Sequence, residues 1–133
     1  MLHSMDSSRL ADAVDADARL RGRRHRVLVQ VNASGEASKG GFVLPSLPSE
    51  AERLHALTGL DVSGVMTMAP LDADERILRE TFAGARAARD VLVRAGHAAT
   101  ELSMGMSSDF ELAVEEGATM VRLGTLLFGA RAQ

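Results

Sequence analysis

The sequence predicts an α/β fold built on a parallel sheet, because short runs rich in β-branched residues alternate with longer stretches of helical period. The runs are largely apolar, which is typical of strands covered on both faces. Consecutive elements of this kind form βαβ units with right-handed crossovers. The pattern leaves open whether the sheet closes into a barrel or stays open and doubly wound. Strands are predicted at 2–5, 27–32, 62–68, 100–104 and 119–124.

Helical periodicity between these strands predicts four helices, at 6–20, 48–57, 74–95 and 108–116. The third carries its apolar residues on one stripe, namely Leu78, Phe82, Ala85 and Leu92. A Ser-x-x-Glu pattern at 49–52 and again at 108–111 predicts a capping box for the second and fourth helices. Glycines follow three of the helices and predict where they end: Gly59, Gly96 and Gly117. A left-handed C-cap is expected at Gly59.

Composition restricts the class of protein. The 133 residues are 46% hydrophobic and 25% charged, as in one ordinary domain, and the net charge of -3 argues against general nucleic-acid binding. There is no cysteine, so disulfides and thiolate metal sites are excluded. No apolar run reaches the roughly 18 residues of a membrane span. The expectation is a cytoplasmic protein without nucleic-acid or membrane partners.

The last two predicted strands both end in glycine and hydroxyl residues. Backbone N–H groups become free where a strand ends, and Gly105 and Gly124 would let an anion approach that backbone closely. Ser107 and Thr125 add hydroxyl donors at the same two places. Arg122 is placed inside the final strand, so its side chain is expected to be directed rather than solvated. These features predict an anion site where the two strands end.

Other polar and sulfur-containing residues have simpler interpretations. Five arginines between residues 19 and 26 could form a nucleic-acid patch, but a solvated helix end is favoured because no aromatic residue is interleaved. Glu115 and Glu116 are expected in solvent. The four histidines lack metal-ligand spacing, so no metal site is predicted, and His3 near a strand end is the least certain of them. Four methionines could line a cofactor face, although ordinary packing is favoured: Met66, Met68, Met104 and Met106.

Five segments, in matching order and spacing, cover almost the whole chain. They are His3-Ser-Met-Asp6, Val29-Gln-Val-Asn32 with Ser38-Lys-Gly-Gly41, Gly64-Val-Met-Thr-Met68, Leu102-Ser-Met-Gly-Met-Ser-Ser-Asp109, and Val121-Arg-Leu-Gly-Thr125 leading to Phe128-Gly129. The segments resemble the YggS/PROSC family of pyridoxal phosphate homeostasis proteins. The resemblance implies a β/α barrel of the alanine racemase type, the type III fold of proteins that use this cofactor, without a well-defined catalytic reaction.

The resemblance also implies roles for four residues. Ser107, Gly124 and Thr125 match the residues that hold the phosphate of pyridoxal 5'-phosphate, and Arg122 matches the arginine that faces its pyridine nitrogen. The chemistry agrees, because N–H groups and hydroxyls suit a phosphate. A guanidinium beside the ring nitrogen keeps that nitrogen unprotonated, which makes the ring a poorer electron sink. The roles therefore suit a carrier better than an enzyme.

One departure from the family concerns the lysine that holds the cofactor as a Schiff base. The family carries it in a Val-Ser-Lys motif of the first barrel strands, which has no counterpart here. Lys39 is the only lysine of the sequence and matches a loop lysine after a later strand. Residues 1–133 are therefore expected to form a single partial domain, about half of the barrel. It would hold pyridoxal phosphate non-covalently at best, whether as a truncated reading frame, a remnant or a split protein.

A partial barrel has two further consequences. The strands at the two ends of the sheet would lack neighbours, and such exposed edges favour marginal stability and self-association. A fragment of a racemase or decarboxylase enzyme is the alternative function. It is disfavoured because the sequence contains no tyrosine, which commonly serves as acid or base in the racemases, and no lysine at the Schiff-base position. A non-functional remnant also stays open.

Overall fold

The structure is a computed structural model that describes residues 1–132. A single 3-10 turn, Leu44–Ser46, leads into the second of five α-helices. None of the helices in the described chain has the length and apolar character that a membrane crossing requires. In chain order the elements are β1 (Leu2–Met5), α1 (Ser8–Leu20), β2 (His25–Asn32), β3 (Phe42–Val43), α2 (Leu47–His55), β4 (Leu60–Met66), α3 (Glu75–Arg94), β5 (Glu101–Ser103), α4 (Phe110–Glu115) and α5 (Thr125–Phe128).

The strands form one parallel sheet in the order β1-β2-β4-β5, and the two-residue β3 pairs with the end of β2. Helices connect the strands of this order, with α1 between β1 and β2, α2 between β2 and β4, and α3 between β4 and β5, as the alternation of elements predicted. The carboxyl ends of the strands therefore lie at one edge of the sheet, and the loops that follow β4 and β5 meet there. The predicted α/β class and the parallel arrangement of the sheet are both confirmed.

The sheet is strongly curved. In a flat sheet, β1 and β5 would lie three strand spacings apart, about 14 Å. Yet the short side chains of His3 in β1 and Ser103 in β5 meet directly, with Nδ1 and Oγ 2.9 Å apart. Only a sheet that curls like the wall of a barrel brings its outer strands this close. The curvature favours the barrel over the open sheet.

The core lies between the sheet and its helices. α3 packs on β4 and on α2, and Phe82, Ala85 and Leu92 of its predicted stripe are buried while Leu78 is partly buried. The largest fully buried side chains come from strands and helices alike: Phe82, Met5, Leu28, Leu47, Leu54, Leu92, Leu102 and Met104. The strands are thus anchored by apolar contacts, which leaves the loops at their carboxyl ends free to carry polar groups.

Both predicted capping boxes are wrong. α2 begins at Leu47, so Ser49 lies inside the helix, and its hydroxyl donates to the carbonyl oxygen of Ser46. α4 begins at Phe110 without a side-chain cap. Asp74 instead caps α3 by accepting from the Ile77 N–H at 2.9 Å. A Ser-x-x-Glu pattern is short, and it also occurs by chance within a helix.

The predicted helix ends at Gly96 and Gly117 are confirmed, since both residues have positive φ, at 99° and 104°. The left-handed C-cap predicted at Gly59 is wrong, because Gly59 is not among the residues with positive φ. Gly59 is required for space instead. A Cβ there would lie 2.7 Å from the carbonyl oxygen of Asp15 in α1, whose carboxylate accepts the Gly59 N–H.

The strand predicted at 119–124 is also wrong. Only Met120 is paired there, in an isolated parallel bridge with Ser103, and the rest of the segment is irregular. At the other end of the sheet, β1 pairs with β2 alone. These are the open edges on which the expectation of self-association rests.

Of the two glutamates expected in solvent, Glu115 is exposed, with its side chain 60% accessible, whereas the Glu116 side chain is only 17% accessible. Arg79 of α3 binds both, at 2.5 Å and 3.1 Å, and Arg86 binds Glu116 at 3.0 Å. The hydrogen bonds from Arg79 and then Arg86 hold the pKa of Glu116 below its usual range. These ion pairs tie the end of α4 to α3 and so help to place the loop that precedes α4.

His97 gives a pH-dependent contribution to stability. Its Nε2 donates to the Ala51 carbonyl oxygen at 2.8 Å, and burial lowers its pKa. The unfolded chain then binds the proton at a higher pH than the folded chain. The contribution of His97 to the free energy of unfolding should therefore be fully present above about pH 6.5. It should be lost as the pH drops below that value.

Urea unfolding of the wild type and of His97→Gln between pH 7.5 and 5 measures this contribution, since the glutamine amide can still donate to Ala51. The variant should lose less stability over that range than the wild type does. Its slope should not vanish, because the pKa of His3 is also lowered by burial. Equal slopes for the two proteins would contradict the assignment.

Candidate functional site

The loop after β5 and the segment 119–125 lie side by side at the carboxyl edge of the sheet. Backbone hydrogen bonds join them from Met104 N–H to the Met120 carbonyl and from Arg122 N–H to the Gly105 carbonyl, at 3.1 and 2.9 Å. Gly105 has a φ of 100°, and a Cβ there would lie 2.7 Å from that of Ala113. Only glycine allows this turn, so the close approach of the two segments depends on it.

The three residues expected at a phosphate come together where these segments meet. The Ser107 hydroxyl oxygen accepts the N–H groups of Gly124 and Leu126, at 3.3 and 3.1 Å. Thr125 lies between these two donors and is exposed as the first residue of α5. Two backbone donors therefore converge on one hydroxyl oxygen, with the hydroxyl-bearing Thr125 beside them. This arrangement can bind an anionic oxygen.

The same residues line an open groove of about 860 Å³. Lys39 also lines it and comes from the loop between β2 and β3, whose Ser-Lys-Gly-Gly sequence could bind an anion. Its Nζ donates to the Ala69 carbonyl oxygen at 3.1 Å and lies 3.8 Å from Glu36. The methionines divide by position: Met68 and Met106 line the groove, whereas Met66 and Met104 are buried.

Arg122 lies outside any strand, contrary to the prediction, but its side chain is directed. Its Nη1 donates to the Ser103 hydroxyl at 2.6 Å, and its Nη2 donates to the Thr67 carbonyl oxygen at 3.0 Å. Burial lowers the pKa of Arg122, and the charge of Asp109 opposes this shift. A guanidinium stays charged in a protein, so a fixed cation lies at the ends of β4 and β5. Arg122 is not part of the groove lining around Ser107.

His3 and Ser103 belong to the same polar cluster as Arg122, and the sequence did not predict that they would be in contact. They are 100 residues apart, and no spacing rule joins them. Ser103 is fully buried and His3 is partly buried. Only the position of His3 near a strand end set it apart from the other histidines. The contact depends on the curvature of the sheet, which residue patterns do not specify.

The five arginines between residues 19 and 26 are all exposed, as the solvated interpretation favoured, and four of them have partners within the protein. Arg19 and Arg21 each pair with an aspartate one turn earlier in α1, at 2.9 and 2.8 Å. Arg24 donates to the Leu60 carbonyl oxygen and Arg26 to the Ser63 hydroxyl. Within residues 1–132, no group of three histidine or acidic side chains is arranged to hold a metal ion.

Comparison with known proteins identifies the family. Residues 1–132 match the family described as alanine racemase, N-terminal domain. The pyridoxal phosphate homeostasis protein of Aquifex aeolicus is 42% identical over 132 residues, which make up 98% of this chain and 58% of that protein. The chain spans about half the length of the curated relatives it matches.

Solved structures agree with this match. The structure of PipY from Synechococcus elongatus with PLP bound has a TM-score of 0.84 and 38% identity, covering 96% of this chain and 59% of that one. Alanine racemase from Corynebacterium glutamicum has a TM-score of 0.76 over 95% of this chain and 35% of its own, at 18% identity, which shows a shared fold alone. The predicted part-barrel fold and the resemblance carried by the five segments are both confirmed. The chain belongs to the alanine racemase N-terminal domain family, and its curated relatives are named as pyridoxal phosphate homeostasis proteins.

Proposed function

We propose that this chain binds pyridoxal 5'-phosphate reversibly and takes part in the homeostasis of that cofactor. Ser107, Gly124 and Thr125 would hold the phosphate, and Arg122 would face the pyridine nitrogen. The observation that carries the proposal is the convergence of the Gly124 and Leu126 N–H groups on the Ser107 oxygen. The curated relatives, and PipY with PLP bound, support the choice of ligand.

The donor set fits a phosphate monoester. Backbone N–H groups and hydroxyls donate hydrogen bonds to phosphate oxygens. Gly124 leaves the backbone accessible, since nothing lies within 4 Å of a Cβ built at this residue. Bound pyridoxal phosphate would supply an aldehyde and an electron-accepting ring. Arg122 cannot give a proton to the ring nitrogen, because a guanidinium does not deprotonate in proteins.

We also propose that the chain acts as a binding protein rather than an enzyme. The sequence has no tyrosine and only one lysine, so a racemase-type pair of opposing acid and base is not available from those residue types. Lys39 lies along the groove, but its amine is held by the Ala69 carbonyl oxygen and Glu36. Binding is therefore expected without a covalent link.

Titration separates the phosphate contacts from the ring contact. Wild type should bind pyridoxal phosphate and also pyridoxine phosphate, which has no aldehyde. Thr125→Val, which removes only a hydroxyl, should weaken both phosphates by about fivefold and leave pyridoxal unchanged. Arg122→Ala should weaken all three ligands, by roughly 10- to 100-fold, because it removes a charged donor. Equilibrium dialysis with absorbance detection gives the dissociation constants.

Arg9→Ala is the matched control, since this exposed arginine on α1 lies outside the groove and its removal lowers the net charge equally. Its affinities should equal those of the wild type. Borohydride trapping followed by peptide mass spectrometry tests the covalent question. A labelled Lys39 would overturn the non-covalent proposal, and an unchanged affinity in Arg122→Ala would remove Arg122 from the site.

A further inference from the structure

A chain of hydrogen bonds crosses the curved sheet from its first strand to the segment that carries Arg122. It runs from Arg122 Nη1 to Ser103 Oγ, at 2.6 Å, and from Ser103 Oγ to His3 Nδ1, at 2.9 Å. The second nitrogen, Nη2, is held by the Thr67 carbonyl oxygen at 3.0 Å. The Ser103 and Thr67 residues are fully buried, so water does not compete at these two acceptors.

The direction of each hydrogen bond follows from the chemistry of the groups. A guanidinium has donors only, so the Ser103 oxygen must accept from Arg122. The Ser103 proton is then free, and among the described residues the only partner near it is His3 Nδ1. His3 accepts this proton when its Nδ1 carries a lone pair, which is the neutral tautomer with the proton on Nε2. The hydroxyl rotor of Ser103 is thereby fixed.

The surroundings of His3 favour its neutral form. Burial and then the positive charge of Arg122 lower the pKa of His3, and the N-terminal amino group acts in the same direction. Asp109 is the acidic group that acts on Arg122. A proton on Nδ1, in a neutral or a charged ring, would aim a second donor at the same serine oxygen and would leave the serine proton without an acceptor. The neutral ring therefore carries its proton on Nε2.

We propose that His3 is a positioning residue for Arg122: by accepting the Ser103 proton, it fixes the serine lone pair that orients the guanidinium. Nη1 and Nη2 are each held by one acceptor, which fixes the orientation of the guanidinium and leaves its other N–H groups as donors for a ligand. The ligand side of this inference rests on the proposed function, in which those donors face the cofactor ring. The hydrogen-bond chain itself does not.

Binding of pyridoxal phosphate tests the ligand side. His3→Ala should weaken binding about five- to tenfold, because Ser103 loses its acceptor. His3→Gln, whose carbonyl can accept the same proton, should stay within about twofold of the wild type at pH 8. His25→Gln is the matched control, a histidine of β2 outside the groove lining, and should not change the affinity.

The pH profile separates positioning from a merely structural role. The ligand phosphate also titrates, so the informative quantity is the ratio of wild-type affinity to His3→Gln affinity. This ratio should decrease at pH values under about 6.5, because there only the wild type can place a proton on Nδ1. A constant ratio, together with wild-type affinity in His3→Ala, would overturn the proposal.

Nitrogen NMR of histidine-labelled, ligand-free protein tests the chain independently of any ligand. At pH 8, His3 should carry its proton on Nε2, and Ser103→Ala should change the tautomer balance of His3 while the spectrum of His25 stays the same. A protonated Nδ1 in the wild type would refute the hydrogen-bond chain. If wild type binds no pyridoxal phosphate, the proposed function fails, and the NMR result alone decides whether His3 positions Arg122.

Discussion

Replacing Gly64 by alanine is expected to destabilise the protein by roughly 3 kcal/mol or more, the range of severe overpacking. Gly64 lies in β4 opposite Glu101 of β5. A Cβ at this position would overlap the Glu101 carbonyl oxygen and lie 2.7 Å from its carbonyl carbon. These are backbone atoms, which cannot turn aside as a flexible side chain can. The β4–β5 pairing would have to open, and Ser103 would lose its position.

Urea unfolding followed by circular dichroism measures this loss. Gly124→Ala is the matched control, because its φ is -123° and nothing lies within 4 Å of an added Cβ. That variant should stay within about 0.5 kcal/mol of the wild type. Near-wild-type stability in Gly64→Ala, or equal losses in both variants, would show that the two strands are not paired as described.

Replacing Asp15 by alanine should cost about 2–3 kcal/mol of stability, since a buried donor is left without a partner. Asp15 is 3% exposed. One carboxylate oxygen accepts the Gly59 N–H at 2.7 Å, and the other binds Arg19 at 2.9 Å. The side chain therefore joins α1 to the turn that leads into β4, across 44 residues of sequence.

Asp17→Ala provides the comparison for this prediction. Asp17 pairs with Arg21 at the same spacing on the same helix, but its side chain is 43% exposed. Exposed pairs of this kind contribute little to the free energy of unfolding. Thermal or urea unfolding of the two variants should therefore differ severalfold in the free energy lost. Equal losses would mean that the bond to Gly59 contributes nothing.

The sequence predicted the alternation of strands and helices because that information is local. Apolar stripes such as Phe82, Ala85 and Leu92 identify a helix face without knowledge of its partner. The segment 119–124 has the same apolar character as the true strands, yet only Met120 is paired. A strand also requires a neighbour with free backbone groups, and composition does not show whether one is present.

The sequence predicted the phosphate-side residues of the candidate site but not the long-range polar contacts around it. Ser107 follows β5, and Gly124 and Thr125 follow the Met120 bridge to that strand, so their meeting was predicted although the segment 119–124 is not a strand. The bond between Asp15 and Gly59 and the contact between His3 and Ser103 were not predicted, because they depend on helix packing and on sheet curvature. Long-range polar contacts of this kind are specified by three-dimensional shape rather than by residue spacing.

The hydroxyl of Ser107 has a consequence for how tightly a ligand could bind. In the free protein it already occupies the Gly124 and Leu126 N–H groups. A phosphate that arrives there exchanges with the serine oxygen instead of meeting empty donors. Such an exchange changes the number of hydrogen bonds little, so the serine contact that is lost offsets part of what the phosphate gains. The affinity contributed at this position should therefore be lower than that of two donors left empty in the free protein.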